Sequence, residues 1–112
     1  NPLYLVRNGE LETIKADKMP IGYHIKVGTP FSNNELKLEK GDRLYMFSDG
    51  YPDQFGGVDG RKFMSKQFKQ LLLDTQNIDM QEQKRVLDET IEAWKGDKHS
   101  QIDDILVIGV KI

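Results

Sequence analysis

Two short runs, Arg43-Leu-Tyr-Met-Phe-Ser48 and Ile105-Leu-Val-Ile-Gly-Val110, are apolar at nearly every position. A half-buried strand alternates apolar and polar side chains, so a run without alternation reads as a strand buried on both faces. Acids border both runs: Asp49 follows the first, and Asp103 and Asp104 open the second. A fold for this chain must place both strands centrally in a sheet and carry carboxylates at their ends.

The remaining segments supply neighbours for that sheet. Leu3 to Arg7 and Glu10 to Lys15 flank Asn8-Gly9, two residues that tolerate positive φ, and predict a hairpin. Pro20 and Gly22 mark a loop over 16–24, and residues 25–31 and 35–38 predict two more short strands around Ser32-Asn33-Asn34. A glycine-rich loop runs from Asp49-Gly50 to Gly60. Ser65 is the predicted N-cap of a helix with Phe68, Leu71 and Leu72 inward. Asp79 with Glu82 resembles a capping box opening a second helix, which turns Met80, Leu87, Ile91 and Trp94 inward and stops near Gly96. Strands, two helices and a last strand predict an α+β fold, with helices on one face of a largely antiparallel sheet. The other face of the apolar strands then lacks cover. A strand starting almost at Asn1 also leads us to expect further polypeptide upstream.

Composition removes several chemistries. The 112 residues suit one domain or part of one and contain no cysteine, which excludes disulfides, thiolate metal sites and cysteine nucleophiles. Zero cysteine is also compatible with a reducing cytoplasm. With 16 Lys+Arg against 18 Asp+Glu there is no positive excess to neutralise nucleic-acid phosphates. No apolar run approaches the roughly 20 residues that a membrane-spanning helix needs. A metal would be held by oxygen or imidazole, and since His24 and His99 lie far apart in sequence, carboxylates suited to Mg²⁺ or Mn²⁺ are the candidates.

An Asp-Gly pair after a strand is commonly only a turn. Aspartates bordering near-continuous apolar strands, however, cost desolvation unless something such as a divalent cation compensates. Asp49, Asp103 and Asp104 are therefore the candidate ligands, with Gly50 allowing the turn after Asp49. Strand alternation points Asp103 toward an ion and Asp104 away from it. Ser48 has no base at a recognisable position, His24 and His99 read as solvated loop histidines, and Trp94, Phe68 and Leu87 read as core. Lys62, Lys66 and Lys69 form a solvated face.

Four segments then carry a resemblance. Lys40 to Gly50 resembles the "GD-x-L-x-x-x-S/T-D-G" segment of the metal-dependent type 2C serine/threonine phosphatases, in the bacterial branch typified by stage II sporulation protein E and the phosphatases that regulate sigma factors. Gln101 to Gly109 is similar to that branch's closing "DD-I/V-x-L/V" strand, Asn1 to Gly9 to its "NPP-L/F-x-x-x-R-x-G" hairpin, and Met19-Pro-Ile-Gly22 to its "x-P-L/I-G" loop. Asp53-Gln-Phe-Gly-Gly57 and Trp94-Lys-Gly96 look like a subgroup in which the phosphatase domain ends a sensor protein.

The resemblance implies an αββα phosphatase sandwich, of which residues 1–112 are a single partial domain, the C-terminal half. It implies two Mn²⁺ or Mg²⁺ ions sharing a bridging hydroxide that attacks a phosphoserine phosphorus. Asp49 and Asp103 would be ligands of one ion, with Asp104 second to Asp103 and Gly50 supporting the turn; the bridging carboxylate would come from the upstream half. It further implies a phosphorylated regulatory protein of the anti-sigma-factor antagonist type as partner and an upstream sensor. The expected setting is cytoplasmic, with any membrane anchor of the parent upstream. Alone, the fragment is expected to be inactive and to self-associate through its uncovered face. The alternative is a non-catalytic module that binds a partner with the same fold.

Overall fold

In the computed structural model, which describes residues 1–15 and 37–112, Asn8 and Gly9 have φ of 51° and 78°. These values close a tight hairpin between β1 (Leu3–Arg7) and β2 (Glu10–Ile14). β1 also pairs antiparallel with β3 (Arg43–Phe47), and β3 with β6 (Val107–Lys111), giving the sheet order β2-β1-β3-β6. The expected strand over 25–31, the loop with Met19-Pro-Ile-Gly22, and His24 lie outside the described residues.

The register assigns side chains to two faces. Tyr4, Val6, Arg43, Tyr45, Phe47, Val107 and Gly109 share one face; Leu5, Leu44, Met46, Ile108 and Val110 share the other. Helices α1 (Ser65–Asp74) and α2 (Met80–Lys95) cover the first, where Phe68, Leu72, Leu87 and Ile91 pack against Tyr4, Val6 and Tyr45. Gly109 admits this packing, because a Cβ there would sit 3.0 Å from both Met80 Cε and Tyr45 Cε1. On the second face Met46 is 50% exposed, and Ile108 and Val110 are each 43% exposed. Among the described residues the helices cover the first face, as expected; on the second, Leu5 is nonetheless buried. Among the described residues β6 is an edge strand and not the predicted central one, and it begins two residues later than its apolar run.

Tertiary bonds overrule local signals at α1. Its N-cap falls on Met64 at φ 79°, with no side-chain cap, and Ser65 is already helical. Phe63 and Met64 donate their N–H groups to the carbonyls of Gln54 and Pro52, which sets the entry of the chain one residue earlier. At α2 Asp79 caps as predicted, accepting from Gln81 N at 2.8 Å, but Glu82 pairs with Arg85 and leaves the box open. Gly96 ends the helix at φ 58°.

Among the described residues no buried side-chain polar atom lacks a hydrogen-bond partner. Arg43 donates to Thr75 O and Gln83 Oε1, each at 3.3 Å, and to Ile78 O; Tyr45 Oη donates to the same Gln83 oxygen at 2.8 Å. Carbonyls after α1 therefore receive a guanidinium that apolar periodicity reads as part of a hydrophobic strand.

Arg7 grips Asp42 with two bonds, Nε to Oδ1 at 2.9 Å and Nη2 to Oδ2 at 2.6 Å, and Glu39 N adds a third at 2.7 Å. The guanidinium holds the Asp42 carboxyl below its ordinary range. A carboxyl whose folded pKa is depressed stabilises the fold above its unfolded value of about 4, and that contribution is lost as pH falls through the folded pKa. Urea unfolding across about pH 2–4 is therefore expected to show a stability decline in the wild type that Asp42→Asn flattens. Parallel declines in both proteins would reject this.

Candidate metal centre

The two acidic strand ends meet beyond the last rung of the β3–β6 ladder, Phe47 opposite Val107. Ser48 N–H donates to Leu106 O at 2.9 Å, Leu106 N–H donates to Ser48 Oγ at 2.9 Å, and Ser48 Oγ donates to Asp104 O at 2.7 Å. Gly50 comes next and presses its backbone on the same peptide: a Cβ there would lie 2.1 Å from Asp104 O and 2.7 Å from Asp104 C. Its φ is outside the left-handed region, so glycine is required here for close approach and not, as expected from sequence, for a sharp turn. Asp49 thus leaves β3 beside the peptide that joins Asp104 to Ile105.

A packed loop backs Asp49. Asp53 N–H donates to Asp49 O at 2.9 Å, and Tyr51 Oη, its phenol pushed up chiefly by burial, donates to Leu87 O at 2.6 Å. Gln54 is buried; its Nε2 donates to Ser100 O at 3.0 Å, and its carbonyl accepts from Trp94 Nε1 at 2.9 Å. The segment read as a continuous loop contains a short hairpin, β4 (Phe55–Gly56) and β5 (Arg61–Lys62). Gly56 lets that hairpin reach α2, since a Cβ there would stand 2.0 Å from Trp94 O. His99 lies by Gly60 at the hairpin's turn.

Asp49, Asp103 and Asp104 are all exposed, so the desolvation argument made from the apolar runs does not apply in this structure. Strand alternation does not orient Asp103 either, because the residue sits at a bend ahead of β6 and its Oδ1 accepts from Asp104 N at 2.8 Å. None of the three acids forms an ion pair among the described residues. Oxygen donors without a competing cation have the right chemistry for Mg²⁺ or Mn²⁺. They are part of a site only: no group of three or more His, Asp or Glu able to hold a metal occurs among the described residues. A groove of about 840 Å³ lies elsewhere, between α2 and β6, and is lined by Tyr45, Leu87, Ile91 and Val107. No described helix is long and apolar enough to cross a membrane.

The family described as Stage II sporulation protein E matches residues 1–112. No curated protein matches the chain. Among solved structures, the SiaA-PP2C domain of Pseudomonas aeruginosa superposes with a TM-score of 0.75 at 28% identity, over 99% of this chain and 42% of that one. The phosphatase domain of the cell fate determinant SpoIIE from Bacillus subtilis, presoaked with Mn, superposes with a TM-score of 0.65 at 21% identity, over 100% of this chain and 46% of that one. The chain therefore spans less than half the length of the structures it matches.

Proposed function

The chain belongs to the Stage II sporulation protein E family, and from that premise we propose that its parent is a metal-dependent protein serine/threonine phosphatase whose catalytic domain has residues 1–112 as its C-terminal half. The observation that carries this reading is the contact of Ser48 and Gly50 with the Asp104 peptide, which brings two acidic strand ends together. Asp49 and Asp103 are the proposed ligands of one cation, with Asp104 second to Asp103 on the resemblance of the closing motif alone, since Asp103 and Asp104 both lie ahead of β6. Mn²⁺ or Mg²⁺ supplies an acidified water and neutralises phosphoryl charge. The chain's own part is to hold anionic oxygens at the mouth of β3 and β6, with Gly50 setting how closely the two ends approach. An octahedral cation requires about six oxygens, so the remaining donors would come from the upstream half.

The substrate in this reading is a phosphorylated regulatory protein of the anti-sigma-factor antagonist type, with an upstream sensor controlling a cytoplasmic catalytic domain. The open sheet face bearing Met46, Ile108 and Val110 would pack against the other half of the sandwich. The full-length protein is expected to hydrolyse p-nitrophenyl phosphate with Mn²⁺. Residues 1–112 alone are expected to show no turnover, weak Mn²⁺ affinity and concentration-dependent association by sedimentation. Turnover by the fragment alone, or none by the full-length protein with either metal, would overturn the reading; the latter favours a partner-binding module.

A further inference from the structure

The rung that ends the β3–β6 ladder is made by a side chain. In the register continued from Phe47 and Val107, residue 48 stands opposite residue 106. The bond from Ser48 N to Leu106 O marks a hydrogen-bonded pair, and such a pair in an antiparallel ladder exchanges two N–H···O bonds. The second bond here goes instead to the hydroxyl: Leu106 N–H donates to Ser48 Oγ, whose O–H donates in turn to Asp104 O. Ser48 Oγ takes the acceptor place of its own carbonyl. The main chain is thereby released from the sheet at Asp49, while the facing strand stays tied back to Asp104. The hydroxyl proton goes to a backbone carbonyl and not to a side-chain base.

We propose that Ser48 is a positioning residue that sets the separation of Asp49 from Asp103 and Asp104, and thereby the affinity of the full-length protein for a divalent cation. The proposal rests on the metal-site reading above. Gly50 presses on the same Asp104 peptide, so a hydroxyl bond and the lack of a Cβ, one residue to either side of Asp49, register the two strand ends together. Alanine provides neither bond. Threonine keeps the hydroxyl, and valine matches threonine's shape without it.

The test measures Mn²⁺ affinity of the full-length protein from the electron paramagnetic resonance of free Mn²⁺, together with hydrogen exchange of the Leu106 amide in metal-free protein. Ser48→Ala and Ser48→Val are expected to weaken Mn²⁺ binding roughly tenfold or more, as loss of a group orienting metal ligands does, and to speed Leu106 exchange. Ser48→Thr is expected to stay within about twofold of wild type in both. Should Ser48→Ala fail to fold, the Thr and Val pair carries the comparison. Wild-type Mn²⁺ affinity in the Ala and Val variants overturns the proposal, and unchanged Leu106 exchange removes its structural basis. A wild-type protein that binds no Mn²⁺ overturns the phosphatase reading itself, an outcome separate from either of these.

Discussion

Asp49→Asn and Asp103→Asn are each expected to lower Mn²⁺-dependent turnover of the full-length protein roughly 10²-fold or more, because a neutral amide replaces an anionic ligand of a hard cation. Both side chains are exposed, and neither forms an ion pair among the described residues. Their loss should therefore move unfolding stability by no more than about 0.5 kcal/mol. That pairing of a large kinetic effect with a small thermodynamic one separates a ligand from a structural residue. Asp104→Asn is the internal control. If its turnover falls further than that of Asp103→Asn, the order of the two acids is reversed. If neither Asp49→Asn nor Asp103→Asn changes the rate, the proposed site is wrong. Measured kcat at saturating Mn²⁺, with urea unfolding of each variant, decides among these outcomes.

Phe68→Ala is expected to cost about 3–5 kcal/mol of folding stability, the range for truncating a fully buried phenylalanine. Phe68 is fully buried, with ring centroids 4.8 Å from Tyr51, 5.0 Å from Phe47 and 6.0 Å from Tyr4. One ring on α1 thus touches β1, β3 and the loop two residues beyond Asp49. The cavity left by alanine would border rings anchored elsewhere: Tyr51 also packs on Phe63 and donates to Leu87 O, which limits collapse into the gap. Phe68→Leu fills part of the space and should cost less than half as much. Urea unfolding of the full-length protein measures both, and a loss near 1 kcal/mol for Phe68→Ala would show that the helix is held elsewhere.

Local signals in the sequence were legible where the physics is local. Asn8-Gly9 encodes a turn through its own φ values, Asp79 and Gly96 bound α2 through bonds within a few residues, and Phe68, Leu72, Leu87 and Ile91 fall inward at helical spacing. Other features depend on distant partners. The N-cap of α1 moved to Met64 because carbonyls of the preceding loop take its neighbouring N–H groups. Gln83 is buried, against its polarity, because Arg43, Tyr45 and Thr75 surround it. Ser48 has no base at a recognisable position in the sequence. Its partners are backbone groups of residues 104 and 106, which residue spacing does not reveal.

By itself the sequence determined the first hairpin, the strand over Arg43–Phe47 and the two helices, that cysteine chemistry is excluded, and that carboxylates stand just outside the two most apolar runs. It determined these things because propensity, turn chemistry and side-chain inventory act within a few residues. Tertiary structure decided that those runs are neighbours, that one lies at the sheet edge among the described residues, and that the acids are exposed. Above all it decided that Ser48 and Gly50 close on the Asp104 peptide, with Ser48 and Asp104 56 positions apart in the chain. Strand register is a property of the whole sheet, and it alone brings the two acidic ends together.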